Sequence, residues 1–329
     1  MTERSTYLSI IIPVFNEEES IPLLHERLSR VLKMQDFSYE VIYVDDGSTD
    51  GTFAQLQSLS ARDPQVRVIQ LRRNFGQTAA IAAGVDHSTG KVLVFMDGDL
   101  QNDPVDIPRL LAKLNEGHDV VSGWRKNRQD AQLSRKLPSL LANRLISRVT
   151  GVHLHDYGCT LKAYRWEVFQ HVHLYGEMHR FLPAYAALAG ASIAEIAVNH
   201  HPRRFGVSKY GISRTVRVIL DLVTLKFLGR YGTRPLHAFG VPGLLSILLG
   251  AITFVGLLGQ RVFGRSNRST SLLSLPLGLV GFGLQCIMMG ISAELLMRTY
   301  YESQEKSTYV VRTMLPPQQQ AKTGKHEAA

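Results

Sequence analysis

Cysteine is nearly missing: the 329 residues include two, Cys159 and Cys286, far apart in the chain. That pair gives no metal-ligand spacing and no disulfide framework, which excludes a disulfide-stapled module and fits a reducing compartment. A cleavable leader is also missing, because the apolar run in MTERSTYLSIIIPVFNEEES is short and ends in acids. The N-terminal half is therefore expected to stay in the cytoplasm. No internal repeat, aromatic-interleaved RNA-binding motif or DNA-binding unit is found. Acids are scarce relative to bases, with 28 Asp and Glu against 37 Lys and Arg, a formal charge of +9. Such an excess suits a polyanionic partner: nucleic acid, an anionic membrane surface or a phosphorylated substrate.

At 329 residues the chain is long for one domain, which implies a large domain with something added. In its first half, short β-branched runs alternate with helical patterns. YLSIIIPVF (7–15), YEVIYVDDGS (39–48), VRVIQLRRN (66–74) and GKVLVFMDGD (90–99) read as strands. Their apolar runs are continuous, as expected of strands covered on both faces. Amphipathic stretches lie between them, such as 19–34 and 77–88. The alternation predicts an α/β fold, a mostly parallel sheet with right-handed crossovers, whose ligand site lies beyond the C-terminal strand ends.

The second half differs. Residues 237–264 and 271–297 each contain about 20 mostly apolar residues, enough to cross a bilayer. The competing reading is a pair of buried core helices, against which stand the glycine content and uncharged centres of both runs. Glu294 is the awkward residue, near the end of the second run. Lys209, Arg214, Arg217, Lys226, Arg230 and Arg234 before the first run, and Arg298, Lys306 and Arg312 after the second, outnumber Arg261, Arg265 and Arg268 between them. The positive-inside rule then puts both termini in the cytoplasm. Segment 211–232 alternates basic and apolar positions near helical period; it reads as an ordinary soluble amphipathic helix or, favoured by its place directly before an apolar run, as a helix in the membrane interface.

Two acidic stretches fall at strand ends: Asp45 and Asp46 in VDDGSTD, and Asp97 and Asp99 in MDGDLQN. An Asp-x-Asp at a strand end is either a solvated turn or a divalent-cation site, since side chains at i and i+2 leave a strand on one face. Two acidic ends on one rim make sense when a cation and sugar hydroxyls sit between them. The basic segments 122–148 and 200–211 are solvated faces or anion sites. Arg135 and Ser139 lie four apart on one helical face, and Gly206, Ser208 and Lys209 form a small, cationic set suited to a phosphate.

The order SIIIPVFNEEESIP, VDDGSTDGT, RNFGQTAAIAAGVDHSTG, MDGDLQNDP, DYGCTLKAYR, GEMHRF and RRFGVSKYG, followed by two apolar runs, resembles the family-2 glycosyltransferases. Within them it looks most like the polyprenyl-phosphate glycosyltransferases. The resemblance covers residues 8 to about 311 and implies a GT-A-type sheet with flanking helices, then interfacial helices and two transmembrane helices. Boundaries that follow are 1–210 for a cytoplasmic catalytic domain, 211–234 juxtamembrane, 235–298 for two spans and 299–329 for a strand or tail.

Site roles follow from the same resemblance. Pro13, Glu17 and Asp46 match positions that hold the nucleotide's base and ribose, with Asp45 and Gln77 on the same donor side. Asp97, Asp99 and Gln101 match ligands for Mg²⁺ or Mn²⁺, Asp99 also counting among the catalytic set. Arg125, Arg135, Ser139, Arg203 and Lys209 match residues that receive a lipid phosphate. Asp156 occupies the place of a catalytic acidic residue in some members, and Glu177 and His179 line the acceptor side. The family's usual DAD reads DGD here, which keeps both acids.

The implied partners are a nucleotide sugar, polyprenyl phosphate, a membrane and further copies of the chain, a tetramer being expected; nucleic acid is not. The implied donor is UDP-glucose, with GDP-mannose or an aminosugar donor as alternatives. A sugar-phosphate nucleotidyltransferase would carry an early Gly-rich loop, which PVFNEEES does not supply. A processive polysaccharide synthase would need more spans and a Gln-x-x-Arg-Trp motif. The non-enzyme rival is a membrane-anchored nucleotide-sugar scaffold.

Overall fold

The structure is a computed structural model that describes residues 4–126, 146–147, 150–170, 172, 174, 178–202, 204–205, 235–262, 274–302 and 308–315. The expected interfacial segment 211–232 lies outside the described residues. The chain divides into two units, Met1–Leu222 with Ser307–Ala329, and Val223–Lys306.

The first unit is built on one eight-stranded mixed sheet. Its strands are β1 (Thr6–Val14), β2 (Tyr39–Asp45), β3 (Val66–Leu71), β4 (Gly90–Phe95), β5 (Val120–Trp124), β6 (Lys162–Arg165), β7 (Ile193–Ala197) and β8 (Val311–Leu315). The order across the sheet is β7-β5-β6-β4-β1-β2-β3-β8. β4, β1, β2 and β3 run parallel, as their continuous apolar runs predict. β6 enters antiparallel between β4 and β5, so its first residue, Lys162, lies directly opposite Phe95 at the end of β4. A strand or a tail was expected over 299–329; a strand forms over Val311–Leu315 and pairs antiparallel with β3 of the same chain.

The helices are α1 (Ser20–Leu32), α2 (Thr52–Arg62), α3 (Gln77–Asp86), α4 (Ile107–Asn115) and α5 (Leu182–Leu188). Strand side chains alternate between two cores, as the two-residue period dictates. Ile10, Ile12 and Val14 of β1 pack with Leu24 and Leu28 of α1 and Leu110 of α4. Ile11 turns to the other face, against Ala80, Ile81 and Ala83 of α3. That helix is rich in small residues because it lies close to the sheet: a Cβ on Gly84 would come within 2.4 Å of Ile11 Cγ2. Its N-terminus is thereby held near the C-terminal ends of the central strands.

The second unit holds α6 (Pro235–Val262) and α7 (Ser274–Glu302). Phe239–Gly259 and Ser274–Ala293 are long and apolar enough to cross a membrane, and Glu294 comes directly after the second of these windows. Leu244, Leu245, Leu248, Leu277 and Leu296 are exposed, the reverse of what a soluble core helix shows. Glycines join the pair: a Cβ on Gly283 would lie 2.5 Å from the Gly243 carbonyl oxygen, and the Ser246 hydroxyl donates to Leu279 O at 2.8 Å. Small residues at a helix contact allow the close backbone approach typical of membrane pairs.

Candidate active site

The ends of β1, β2 and β4 form one rim. Asp45 is fully buried, and its Oδ1 accepts from Ser48 N at 2.9 Å. Asp46 is buried as well, its carboxylate accepting from Phe75 N at 2.7 Å and Gly76 N at 2.9 Å. Burial raises the Asp46 carboxyl above the usual carboxylate range, against the lowering effect of those two N–H donors. Asp46 therefore ties the β2 end to the turn that starts α3. Glu17, in the loop after β1, accepts from the Ser20 hydroxyl at 2.9 Å. Pro13 pairs with Val44 in register, beyond the last β1–β4 pair at Ile11 and Phe95, where its missing N–H costs no β4 ladder bond.

The DGD turn follows β4. Leu100 is buried in a left-handed conformation, φ 65°. For a bulky residue this costs roughly 1–3 kcal/mol and persists because the surroundings hold it. The turn closes on itself: Asp99 Oδ1 accepts from Gln101 N at 3.1 Å, and Asn102 Oδ1 accepts from Asp97 N at 3.0 Å. Gln77, at the start of α3, donates its amide to Asp97 Oδ1 at 2.9 Å. Among the described residues no three His, Cys, Asp or Glu side chains gather as a metal cage. Two carboxylates and an amide oxygen nevertheless fit Mg²⁺ or Mn²⁺, hard cations that take oxygen donors and are commonly held by one or two carboxylates plus substrate phosphates.

Arg125, just past β5, belongs to the same end of the sheet. Its Nε donates to Asp156 Oδ2 at 2.7 Å and its Nη2 to Oδ1 at 3.0 Å, a two-point ion pair. Gly158 N donates to the same carboxylate at 3.0 Å. Burial pulls the guanidinium pKa down, but the Asp156 hydrogen bonds and charge outweigh it and leave the pKa above the ordinary arginine value. The structure thus brings Asp156 to Arg125. Arg135, Ser139, Arg203, Lys209 and Glu177 lie outside the described residues, as do Gly206 and Ser208.

Beside the DGD turn lies a hollow of about 370 Å³, counting its open mouth, lined by Gln77, Thr160, Lys162, His179 and Arg180 among others. His179 Nδ1 meets the Thr78 hydroxyl at 2.8 Å, and burial first, then the charges of Arg180 and Lys162, push its pKa down to about 3. Lys162 is 2% exposed, and its Nζ donates to Tyr157 O at 3.2 Å. Lys162, Arg180 and Asn102 were not singled out from the sequence. The available signal was a lysine alternating with apolar residues in TLKAY, where a strand buried on both faces leaves no solvent for it.

The glycosyl transferase family 2 profile matches residues 9–172. The chain is 45% identical over 326 residues to the dodecaprenyl-phosphate galacturonate synthase of Rhizobium johnstonii, covering 97% of this chain and 96% of the relative. It is 36% identical over 322 residues to the undecaprenyl-phosphate 4-deoxy-4-formamido-L-arabinose transferase of Yersinia enterocolitica, covering 97% and 96% respectively. Among solved structures, the glucosyl-3-phosphoglycerate synthase of Mycobacterium tuberculosis, crystallised with Mn²⁺ and UDP-glucose, superposes with a TM-score of 0.52 at 18% identity. That match covers 68% of this chain and 79% of the other, and shows the same GT-A-like fold. On sequence, fold and the acids at its strand ends, the chain belongs to glycosyl transferase family 2, among the polyprenyl-phosphate glycosyltransferases.

Proposed function

We propose that the enzyme transfers one sugar, with inversion at the anomeric carbon, from a nucleoside-diphosphate sugar to a polyprenyl phosphate at a membrane surface. The observation that carries this reading is the DGD turn at the end of β4 beside a buried Arg125–Asp156 pair. Two helices able to cross a bilayer and relatives named for polyprenyl-phosphate acceptors support it.

The chemistry follows from charge. A phosphate monoester is largely dianionic at neutral pH, its second pKa being about 6. The nucleophile therefore needs positioning more than deprotonation. A lipid-phosphate oxygen attacks the anomeric carbon, the bond from that carbon to the diphosphate oxygen breaks, and the nucleoside diphosphate leaves with the electron pair. Bound at Asp97, Asp99 and Gln101, Mg²⁺ or Mn²⁺ would supply Lewis-acid neutralisation of the leaving group. Arg125, with Arg135, Ser139, Arg203 and Lys209, receives the acceptor phosphate, guanidinium being suited to two-point contact with its oxygens. Asp156 acts through Arg125 by fixing its orientation. Pro13, Glu17, Asp45 and Asp46 shape the base and ribose side.

The favoured donor is a uronate, taken from the galacturonate in the name of the relative at 45% identity. UDP-glucose, expected from the sequence, becomes the comparison donor, with GDP-mannose and an aminosugar as the further alternatives. The same reading places the catalytic part within 1–210, both termini in the cytoplasm and the assembled form as a homotetramer. Purified full-length protein in detergent is given undecaprenyl phosphate, Mg²⁺ or Mn²⁺, and UDP-galacturonate, UDP-glucose, UDP-GlcNAc or GDP-mannose in separate reactions. Mass spectrometry of the lipid names the sugar, and chelation is expected to abolish product. Failure of every donor would overturn the transfer reading.

A further inference from the structure

We propose that Lys162, together with Arg180, receives the carboxylate of a uronate donor, so that the hollow beside the DGD turn selects an acidic over a neutral sugar. The inference rests on the reading of this rim as the donor site.

The hollow reaches the chemistry through two links. Lys162 lies opposite Phe95 in the β4–β6 register, and Phe95 precedes Asp97 by two residues. Gln77 forms part of the wall and also donates to Asp97 at 2.9 Å. A ligand seated at the DGD turn therefore borders the hollow.

Charge is what the hollow lacks on one side. Two cations, Lys162 and Arg180, line it together with His179, Thr160 and Gln77, and none of the lining residues is acidic. The nearby carboxylate of Asp156 is engaged by Arg125 at 2.7 and 3.0 Å. An ammonium has three N–H donors, and that of Lys162 makes a single hydrogen bond within the described protein, to Tyr157 O at 3.2 Å. Burying a cation this way is costly unless an anion meets it. Desolvation lowers the Lys162 pKa to about 8, so the group is still mostly charged at neutral pH.

Size chooses among the anions. The hollow has room for about one water-sized group, about 20 Å³. That accommodates the end of a sugar substituent; a diphosphate needs more space. A carboxylate on the hexose ring can reach in from the mouth, and Thr160 and Gln77 add neutral hydrogen-bonding groups beside the two cations. A hydroxymethyl group in its place would bring the ammonium no counter-charge of its own.

The test uses full-length enzyme with undecaprenyl phosphate and two donors that differ only at C6, UDP-galacturonate and UDP-galactose. Wild type is expected to favour the uronate roughly 10²-fold in kcat/KM, and Lys162→Met to remove most of that ratio. Arg180→Gln should lower it by a smaller factor, and it serves should the buried lysine variant melt at the assay temperature. Calorimetry with each donor, without acceptor, reads the same discrimination as an affinity ratio that disappears in the variants. Equal use of both donors by wild type would overturn the proposal while leaving lipid glycosylation intact. A variant that slows both donors equally, or that raises the KM for polyprenyl phosphate, would also overturn it by giving Lys162 a structural or acceptor role. If neither donor is turned over while another donor of the panel is, the uronate proposal is overturned and the transfer reading stands; equal affinities in calorimetry overturn the carboxylate assignment separately.

Discussion

The acidic rim and the cationic hollow share a wall, Gln77, yet they are built in opposite ways. The rim takes Asp45, Asp46, Asp97 and Asp99 from the ends of two parallel strands and fixes them with backbone N–H groups and amides. The hollow takes Lys162 from an antiparallel strand and Arg180 from a short helical turn, elements that meet only in the folded chain. The rim suits a cation and its diphosphate, while the hollow suits an anion. A glycosyl donor bound across both would have its leaving group at one and its sugar at the other.

The rim should break first and hardest. Asp99→Asn removes a charge from the DGD turn and is expected to lower turnover by roughly 10³-fold while the melting curve stays that of folded protein. Full activity in that variant would sink the metal assignment. Next in size is the Arg125–Asp156 pair, where Arg125→Lys or Asp156→Asn should cost roughly 10²-fold in kcat/KM, by loss of two-point geometry. Both variants should keep the wild-type pH profile. An acidic limb that disappears in Asp156→Asn would show instead that this carboxylate moves a proton.

A control on the scaffold should affect neither partner of the comparison. Gly84→Ala places a methyl group 2.4 Å from Ile11 Cγ2, so about 1–3 kcal/mol of stability should be lost in chemical denaturation, with activity per folded molecule retained.

Smaller effects probe the hollow through pH. Because the Lys162 pKa falls to about 8 in the fold, the native state sheds its proton before the unfolded chain does. This group's contribution to stability therefore rises between about pH 8 and its ordinary value near 10.5, and Lys162→Met should flatten that rise in a melting series. His179, lowered to about 3, works on the acid side. Its contribution is present above its ordinary value of 6.5 and is lost as pH falls toward 3, because the unfolded chain binds a proton the native state does not. His179→Gln should remove part of that acid sensitivity. An unchanged acid limb would show that other groups set it.

The central sheet was legible because the first four strands are continuous apolar runs bounded by turn residues, and each was found within a few positions of its predicted ends. Asp97 and Asp99 could be paired from sequence, since i and i+2 share a strand face and the turn that holds them is local. β6 and β7 are only four and five residues long, too short for periodicity to declare them. Asp156 was visible as a motif residue, but its bond to Arg125 spans 31 positions and follows from where β5 ends. The C-terminal segment could be read only as a strand or a tail, and its pairing beside β3, about 240 positions earlier in the chain, follows from the folded sheet.

The sequence by itself determined the α/β alternation, the two long apolar helices, the acidic strand ends and, through motif order, the family. These depend on local periodicity or on residues adjacent in the chain, which nearest-neighbour chemistry controls. Only the tertiary structure decided that β6 runs antiparallel beside β4, that Asp156 holds Arg125, and that Lys162 is buried beside the DGD turn. Those facts depend on which strands share backbone hydrogen bonds. That choice is made by packing both faces of the whole sheet, and no single segment encodes it.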